Sequence, residues 1–380
     1  MLVAAICVLF LVPATVVAGA YALYTLAGLR IGFHSRRAEV KRRAERPAGG
    51  SSQFSYAVLI PAYNEALGIA SAIRSVRRAN AGISVFVVAD NCTDATAAVA
   101  RDNGAVVLER FDLARRGKGH ALAFGLPSVL DMQVNVVVIL DADCTLSEGT
   151  FAAFDRAFAT GAEALQATLR SANPDAGPAG LAAAVGCEID AATAAGQDCL
   201  GRSVPLRGTG MAFTSNLLRR IPWEGFGPAE DAEYDRTLAA AGVRVRFVPD
   251  AVVSSDAPPD TAILLRQRRR WRAALSPITV RTLATSKPFV LLHLAATVLA
   301  SEGTGLPALL IWAAVPVVLT GFIYLRAVCE VGLTRSRIWN LLKIPVLVFR
   351  LAGVTAAGAV AAPVGWDRTP RPGEPCRAAA

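Results

Sequence analysis

Two aspartates separated by one residue, Asp141 and Asp143, follow the most apolar run of the middle region and have the spacing of a metal-binding pair. Carboxylates this close together repel each other unless a cation or separate hydrogen-bond donors stabilise them. Mg²⁺ and Mn²⁺ are held by a few carboxylates together with phosphate oxygens of a substrate. D-x-D alone is a weak signal, because it occurs by chance in many chains. Its position at the end of a predicted strand strengthens the prediction of a metal site. The pair predicts a divalent cation that carries a phosphate-bearing substrate.

Two further polar clusters follow apolar runs in the same way. One is the segment from Ala62 to Glu65, and the other is the segment from Asp90 to Asp94. Together with the D-x-D pair they make three polar strand ends. If those strands are parallel neighbours, the three clusters meet at one edge of the sheet.

Apolar runs alternate with segments of helical spacing between residues 55 and 140. This alternation predicts parallel strands joined by crossover helices, which is a doubly wound α/β sheet. Ligands of such sheets bind at the carboxyl ends of the strands, where the polar clusters lie. The predicted strands are Tyr56–Ile60, Val85–Ala89, Ala105–Leu108 and Val134–Leu140.

Seven short motifs lie along the chain between residues 55 and 275. They are VLIPAYNEA, VVADNCTD, RGKGHAL, VVILDADC and RGTGMAF, then AED at Ala229–Asp231 and QRRRW at Gln267–Trp271. In this order they resemble membrane-bound family 2 glycosyltransferases, the inverting enzymes related to cellulose, chitin and hyaluronan synthases. A basic W-x-R-T-x-R element at Trp366–Arg371 is similar as well. The resemblance implies a GT-A domain, Rossmann-like and doubly wound, and an enzyme of the hexosyltransferase type.

The resemblance implies that the first half of the domain binds the nucleotide. Asp90 matches the family's contact to the uracil of a UDP-sugar. Tyr63 and Glu65 fall in the opening loop that helps to hold the nucleotide. Lys118 lies in a segment that resembles a nucleotide or phosphate contact, whereas His120 beside it is interpreted as structural.

The resemblance also implies the groups that act on the sugar. Asp141 and Asp143 match the D-x-D that holds nucleotide and metal, with Asp143 the better metal ligand. Asp231 matches the aspartate of the family's E-D pair, which is the general base. The residues that match Q-x-x-R-W, near the diphosphate and the acceptor end, are Gln267, Arg270 and Trp271.

The chemistry of sugar transfer supports the same roles. A leaving nucleoside diphosphate needs its charge neutralised, which a metal on Asp143 and the guanidinium of Arg270 can supply. A base on the opposite face must take the proton of the acceptor hydroxyl, which predicts inversion at the anomeric carbon. Asp231 begins a predicted helix, Glu230–Ala241, and a helix N-terminus favours the ionised carboxylate.

Simpler interpretations compete with these roles. Without the resemblance, Glu230 and Asp231 would be interpreted as ordinary acids in the first turn of a helix. Asp94 has the position of a helix cap, and this is the interpretation favoured for it. Trp271 and the surrounding arginines also suit a membrane-interface anchor, although the active site is favoured for Arg270 and Trp271.

Composition limits the class of protein. Of 380 residues 53% are hydrophobic and only 18% charged, which argues against intrinsic disorder and against a purely soluble enzyme. The net charge of +9 indicates an anionic partner, because a basic protein attracts negative charge. The expected partner is an anionic membrane surface or a phosphate-bearing substrate. Nucleic acid is not expected, because no supporting motif or interleaved aromatic pattern is present. Seven cysteines without a C-x-x-C pair indicate a reducing compartment and neither a zinc site nor a disulfide framework.

Residues 1–30 are predicted to form an N-terminal transmembrane helix, since the first 29 residues carry no charged side chain and about 20 apolar residues cross a bilayer. A cleaved signal peptide is the alternative, because Ala18-Gly19-Ala20 resembles a cleavage site, but no Lys or Arg precedes the stretch. The basic linker that follows, residues 31–54, is predicted to be cytoplasmic.

Residues 55–280 are then the GT-A catalytic domain, on the cytoplasmic side of an inner (plasma) membrane protein with several spans. Residues 288–325 are predicted to form a transmembrane hairpin, because both flanks are basic and a short polar loop interrupts it at Ser301–Gly305. Residues 338–364 are predicted to be an interfacial helix or a third C-terminal membrane helix, with Lys343 and Arg350 on one face. Residues 365–380 form a basic tail.

The sequence thus predicts an inverting glycosyltransferase that requires Mg²⁺ or Mn²⁺ and uses a nucleotide-sugar donor, a UDP-sugar. Its product is a growing polysaccharide or a glycolipid of the cell envelope. One alternative is a single transfer to a polyprenyl phosphate or another lipid acceptor. Another is a non-catalytic membrane scaffold in an export complex. The expected partners are the donor, a glycan or lipid-linked acceptor, membrane lipids, and export or polymerisation proteins.

Overall fold

The computed structural model of the protein describes residue 19 and residues 22–28, 53–257 and 308–358. Within these residues eight strands form one mixed sheet. The strands are β1 (Tyr56–Ala62), β2 (Ser84–Asp90), β3 (Val106–Arg110), β4 (Val136–Ile139), β5 (Cys144–Leu146), β6 (Ala164–Ser171), β7 (Met211–Thr214) and β8 (Val245–Ser255). Their order across the sheet is β3-β2-β1-β4-β7-β6-β8-β5.

Helices connect these strands and follow them along the chain. Those within the sheet region are α1 (Ile69–Ala79), α2 (Thr96–Asp102), α3 (Lys118–Leu130), α4 (Thr150–Phe158), α5 (Pro178–Cys199), α6 (Ser215–Arg220) and α7 (Glu230–Ala240). Two longer helices come after the sheet, and they are α8 (Ala308–Val331) and α9 (Arg335–Gly358).

The first half of the sheet confirms the doubly wound prediction. β3, β2, β1 and β4 are parallel neighbours, and all four predicted strands are present. The central strands are buried on both faces, because alternate residues of β1 enter two separate cores. Val58 and Ile60 belong to one core, and Ala57 and Leu59 to the other.

The second half of the sheet contains antiparallel strands, and the sequence analysis made no prediction of strand direction for this half. β7 runs antiparallel to both β4 and β6, while β6 and β8 are parallel. β5 forms an antiparallel edge against β8. The fold is therefore a mixed α/β sheet in which only the first four strands are wound as expected. An apolar run predicts a strand but not its direction, so the local pattern did not contain this information.

Helix α5 lies between the sheet and the terminal segments. Its apolar residues pack with those of α8, including Val185 with Ile323 in one buried cluster. The helical residues 22–28 cross it closely, since Thr25 Oγ1 and Thr193 Oγ1 share a buried hydrogen bond of 2.8 Å. A Cβ on Gly196 would clash with backbone of the crossing segment, so the glycine permits this approach.

The membrane predictions fall partly outside the described residues. Residues 1–18, 20–21, 29–52, 258–307 and 359–380 are not among them. Most of the predicted N-terminal helix, most of the predicted linker, the first half of the predicted hairpin and the basic tail therefore lie outside. α8 covers the end of the 288–325 segment, and α9 covers most of the 338–364 segment. Among the residues that the structure describes, no helix is long and apolar enough to cross a membrane. The predicted spans stay predictions.

Candidate active site

Asp141 and Asp143 lie just past the carboxyl end of β4, as the sequence predicts. The backbone N–H of Asp141 donates to Thr209 Oγ1 at 3.0 Å, which joins this turn to the loop before β7. The N–H of Cys144 donates to the carbonyl oxygen of Asp141 at 3.0 Å and closes the turn. The D-x-D pair is therefore fixed at the edge of the sheet by backbone contacts.

The side chains of this turn fit a divalent cation. One ligand atom each from Asp141, Asp143 and Cys144 lies within 4.8 Å of the other two. Two carboxylates suit Mg²⁺ or Mn²⁺, which complete their shell with water and phosphate oxygens. Burial raises the pKa of the Cys144 thiol well above its ordinary value, so the thiol is not an anionic ligand. The two aspartates are the residues that would hold the ion.

Lys118 begins α3 and joins the D-x-D turn to the other side of the site. Its ammonium forms an ion pair with Asp141 Oδ1 and lies 3.6 Å from Glu230 Oε1. It also donates to the carbonyl oxygen of Gly208 at 2.8 Å. Burial alone would lower the pKa of Lys118, but the charges of Asp141 and Glu230 outweigh burial and raise it. This lysine stays charged at neutral pH.

Glu230 and Asp231 are the first residues of α7, and this confirms the predicted helix start. Burial raises the pKa of Glu230 to about 7, against the opposing charge of Lys118. Burial also raises the pKa of Asp231, while Lys118 and the N–H of Ala232 oppose the shift. The sequence predicts that the helix N-terminus favours ionised Asp231. The N–H contact acts in that direction, but burial is the larger effect.

Asp90 ends β2 and is buried with a charged partner that the sequence analysis missed. Its Oδ1 accepts hydrogen bonds from Arg110 Nη1 at 2.6 Å and from Asn91 Nδ2 at 2.9 Å. Arg110 ends β3 directly opposite Asp90 in the parallel register. Burial raises the pKa of Asp90, and Arg110 opposes the rise. Nothing in the local pattern around Arg110 signals this pair, because only strand pairing brings the two residues together.

The loop after β1, which carries Tyr63 and Glu65, is attached to the loop after β2. Asn64 Oδ1 accepts from the N–H of Thr93 at 2.8 Å. The N–H of Glu65 donates to Thr96 Oγ1 at 2.7 Å. Asn64 has a left-handed φ of 54°, a conformation that asparagine tolerates better than most residues. Two of the three predicted polar clusters therefore meet at one edge.

The sequence predicts Asp94 as a helix cap, but the N-cap of α2 is Ala95, which makes no side-chain cap hydrogen bond. Asp94 lies one residue before it. Its Oδ1 accepts from the N–H of Thr96 at the start of α2, at 2.9 Å. Its Oδ2 accepts from the N–H of Ala66 at 3.1 Å, which adds a further contact between the two loops. These contacts give Asp94 a structural role.

The structure brings Asp90, Lys118, Asp141, Asp143 and Asp231 to one side of the sheet, at strand ends or at the helix starts beside them. Glu230, the glutamate of the E-D pair, had no predicted site role of its own and joins them through Lys118. The only sequence feature that could have predicted a site role for Glu230 is its position next to Asp231. Three predicted site residues lie outside the described residues, and these are Gln267, Arg270 and Trp271.

Residues 53–274, more than half of the chain, match the family described as glycosyltransferase like family 2. The chain belongs to this family. The prediction of a family 2 glycosyltransferase is thereby confirmed. The relation to cellulose and chitin synthases stays an expectation.

Two curated relatives share part of this region. The chain is 34% identical to protein RfbJ of Shigella flexneri over 92 residues, which are 24% of the chain and 67% of RfbJ. It is 36% identical to the low-salt glycan biosynthesis hexosyltransferase Agl6 of Haloferax volcanii over 91 residues, which are 23% of the chain and 21% of Agl6.

A solved structure shares the fold. It is the mannosyltransferase PcManGT from Pyrobaculum calidifontis, in complex with GDP-Man and Mn²⁺. The likeness has a TM-score of 0.50 at 19% identity, and it covers 90% of this chain and 99% of PcManGT. At this identity the comparison concerns the fold alone.

Proposed function

We propose that this family 2 enzyme is an inverting, metal-dependent hexosyltransferase. It moves a sugar from a nucleotide-sugar, a UDP-sugar, to a growing polysaccharide or glycolipid of the cell envelope. The observation that supports this most directly is the position of Lys118, within reach of both Asp141 and Glu230. One lysine thus connects the proposed nucleotide and metal turn with the helix that carries the proposed base.

The residues divide the work of the transfer. Asp141 and Asp143 would hold Mg²⁺ or Mn²⁺, which supplies charge neutralisation for the leaving diphosphate when it is bound. Lys118 provides a fixed positive charge beside Asp141. Asp231 takes the proton of the acceptor hydroxyl as that oxygen attacks the anomeric carbon, and the bond to the diphosphate breaks. Arg270 is proposed to add a guanidinium on the diphosphate.

Asp90 is proposed to recognise the base of the donor. Its carboxylate is oriented by Arg110 and Asn91 before any ligand arrives, so it can accept an N–H of the base at little cost of reorganisation. Uracil and guanine both offer an N–H beside a carbonyl group, so Asp90 alone does not select between them. The motif resemblance favours uracil, whereas PcManGT binds GDP-Man.

The face of α9 that points away from the domain supports a membrane location. Ile338, Trp339, Leu342 and Val346 fall within one stripe of this helix, and each is at least 50% exposed. The basic residues Arg335 and Lys343 are exposed as well. An apolar stripe with Trp and flanking cations is the composition of a helix that lies on an anionic membrane surface. We propose that α9 lies on the cytoplasmic face of the inner membrane.

This location favours an acceptor that is itself attached to the membrane. A single transfer to a polyprenyl phosphate or another lipid therefore remains the second candidate beside polymer growth. Vesicle flotation of a peptide with the sequence of α9, residues 335–358, tests the surface apart from the predicted spans. The wild-type peptide is expected to float with vesicles of phosphatidylglycerol and phosphatidylcholine, and the peptide with Leu342→Asp and Trp339→Ala is expected to lose most of this binding. Equal flotation of both peptides would contradict the proposed surface.

The transfer itself is tested with a panel of labelled nucleotide-sugars. Membranes that contain the protein are incubated with each donor, with and without Mg²⁺ or Mn²⁺, and the products are sized. A ladder of products supports polymer growth, and a single addition supports the lipid acceptor. No transfer from any donor, although a nucleotide still binds, would support the non-catalytic scaffold instead.

A further inference from the structure

One aromatic side chain beside the catalytic carboxylates has no role in the proposed transfer. Phe226 lies four residues before Glu230, in the loop that leads into α7. Its ring stacks on the imidazole of His120, with 4.6 Å between the ring centroids and 15° between the ring planes. Although His120 covers one face, 43% of Phe226 is exposed. The accessible area therefore lies on its other face and its edge.

The backbone around Phe226 is held in one conformation. The N–H groups of Phe226 and Gly227 both donate to Glu233 Oε2, at 2.9 and 3.0 Å. The indole N–H of Trp223 donates to the carbonyl oxygen of Gly225 at 3.0 Å. These contacts order the ring before any ligand arrives, so a ligand that stacks on it loses little additional conformational entropy.

Close backbone contacts fix this loop next to the catalytic residues. A Cβ on Gly119 would clash with the carbonyl oxygen of Gly225 and would lie 3.1 Å from Cα of Phe226. Gly119 follows Lys118 directly. A Cβ on Gly225 would clash with the carbonyl oxygen of Glu230. The loop is thus pressed between the start of α3 and the start of α7, which carries the general base.

We propose that the exposed face of Phe226 is a stacking platform for the acceptor sugar. The proposal rests on the proposed sugar transfer and names a carbohydrate as the acceptor class. An aromatic face carries negative charge density, and the C–H groups on one face of a pyranose are weakly positive. A preformed aromatic surface with polar groups around it is typical of a small-molecule site. The nucleobase is the other candidate, but Asp90 already provides its proposed contact.

Saturation-transfer NMR tests the proposal without turnover. The probes are methyl glycosides of glucose, mannose, galactose and N-acetylglucosamine, added to the full chain with UDP or GDP and Mn²⁺. Phe226→Leu keeps an apolar side chain and removes the aromatic face, and Phe226→Trp restores such a face. Phe124→Leu is the matched control, because Phe124 lies on α3 with a similar exposure of 45%.

At least one glycoside is expected to bind wild type and to lose about fivefold or more of its affinity in Phe226→Leu. Phe226→Trp and Phe124→Leu are expected to keep it, and nucleotide affinity is expected to change less than about twofold. Binding of no glycoside by wild type, or equal binding by Phe226→Leu, overturns the proposal. Weaker nucleotide binding by Phe226→Leu assigns the ring to the nucleobase instead. Failure of the proposed function would give a different result. Wild type would then transfer no sugar from any donor, whether or not it binds a glycoside.

Discussion

Lys118 forms an ion pair with Asp141 across the edge of the sheet, although the two residues lie 23 positions apart on different elements. The same ammonium lies 3.6 Å from Glu230 Oε1. A single positive charge therefore stabilises carboxylates on both sides of the proposed reaction centre. Removal of this charge leaves buried acids without their nearest cation, and such a loss affects the site more than one hydrogen bond would.

Lys118→Met is expected to lower kcat by about 10²–10³, the range typical of the loss of one preorganised electrostatic group in an active site. The donor KM is also expected to rise, because the substitution removes a charge beside the nucleotide turn. Arg116→Met is the control, since Arg116 is exposed two residues earlier in the same segment. Steady-state kinetics of both variants, with circular dichroism to confirm folding, measure the effect. A folded Lys118→Met enzyme with wild-type kcat would contradict the role.

Glu230 is expected to make stability depend on pH. Its pKa is about 7 in the folded protein against an ordinary value of 4.5, so the folded state binds more protons than the unfolded state between these limits. Stability should therefore fall as pH rises from about 4.5 to about 7 and change little above that range. Glu230→Gln should remove the contribution of Glu230 to this loss of stability. The variant should therefore be more stable than wild type at pH values above the pKa of Glu230 in the folded protein.

Urea unfolding of the metal-free protein at a series of pH values checks this prediction. Glu224→Gln is the matched control, because Glu224 is exposed and lies only six residues earlier. The control should keep the wild-type pH dependence. If Glu230→Gln and wild type lose stability in parallel over this pH range, the buried glutamate is not the cause.

The sequence predicted the parts of the site that follow from local patterns. Each apolar run before Asp90 and Asp141 did form a strand, and the polar residue did follow its carboxyl end. Asp231 did begin a helix. The signals were the length of each apolar run and the turn residues that follow it. Both can be read from a few neighbouring positions in the sequence.

The remaining features depend on contacts between distant segments. Arg110 meets Asp90 because two strands are in register, and Phe226 meets His120 over more than 100 positions. The antiparallel direction of β7 likewise depends on how the chain returns to the sheet between β6 and β7. A local apolar run carries no information about that connection. Gly225 and Gly227 around Phe226 were a signal of close backbone approach, but their partners were not predictable from sequence.

Metal binding is expected to depend on Asp143. Chelation should abolish transfer, and Mg²⁺ or Mn²⁺ should restore it. Asp143→Asn should weaken Mn²⁺ binding by at least about tenfold, because the neutral amide replaces a charged ligand. Electron paramagnetic resonance of free Mn²⁺ measures binding without turnover. Glu148→Gln, at an exposed acid five residues later, should bind like wild type. Equal affinity of Asp143→Asn and wild type would remove this residue from the metal site.

The close contact between α3 and the loop before α7 is expected to make the protein less stable when Gly119 gains a side chain. Gly119→Ala would press a Cβ against the carbonyl oxygen of Gly225 and should cost about 1–3 kcal/mol. Gly186→Ala is the opposite case, because Gly186 lies inside α5 and its added Cβ would meet no heavy atom within 4 Å. That variant should gain about 0.5–1 kcal/mol. Thermal unfolding compares the two, and a Gly119→Ala protein as stable as wild type would argue against the close contact.

Asp231 is the proposed base of the glycosyl transfer, and every other proposed role in the site serves this proton transfer. The decisive measurement is the initial rate of transfer by Asp231→Asn with a donor that wild type uses, together with the affinity of that variant for the donor nucleotide. The rate is expected to fall by about 10²–10⁴, the usual contribution of a general base, while nucleotide affinity stays near that of wild type. Transfer at the full wild-type rate by Asp231→Asn would contradict the central claim.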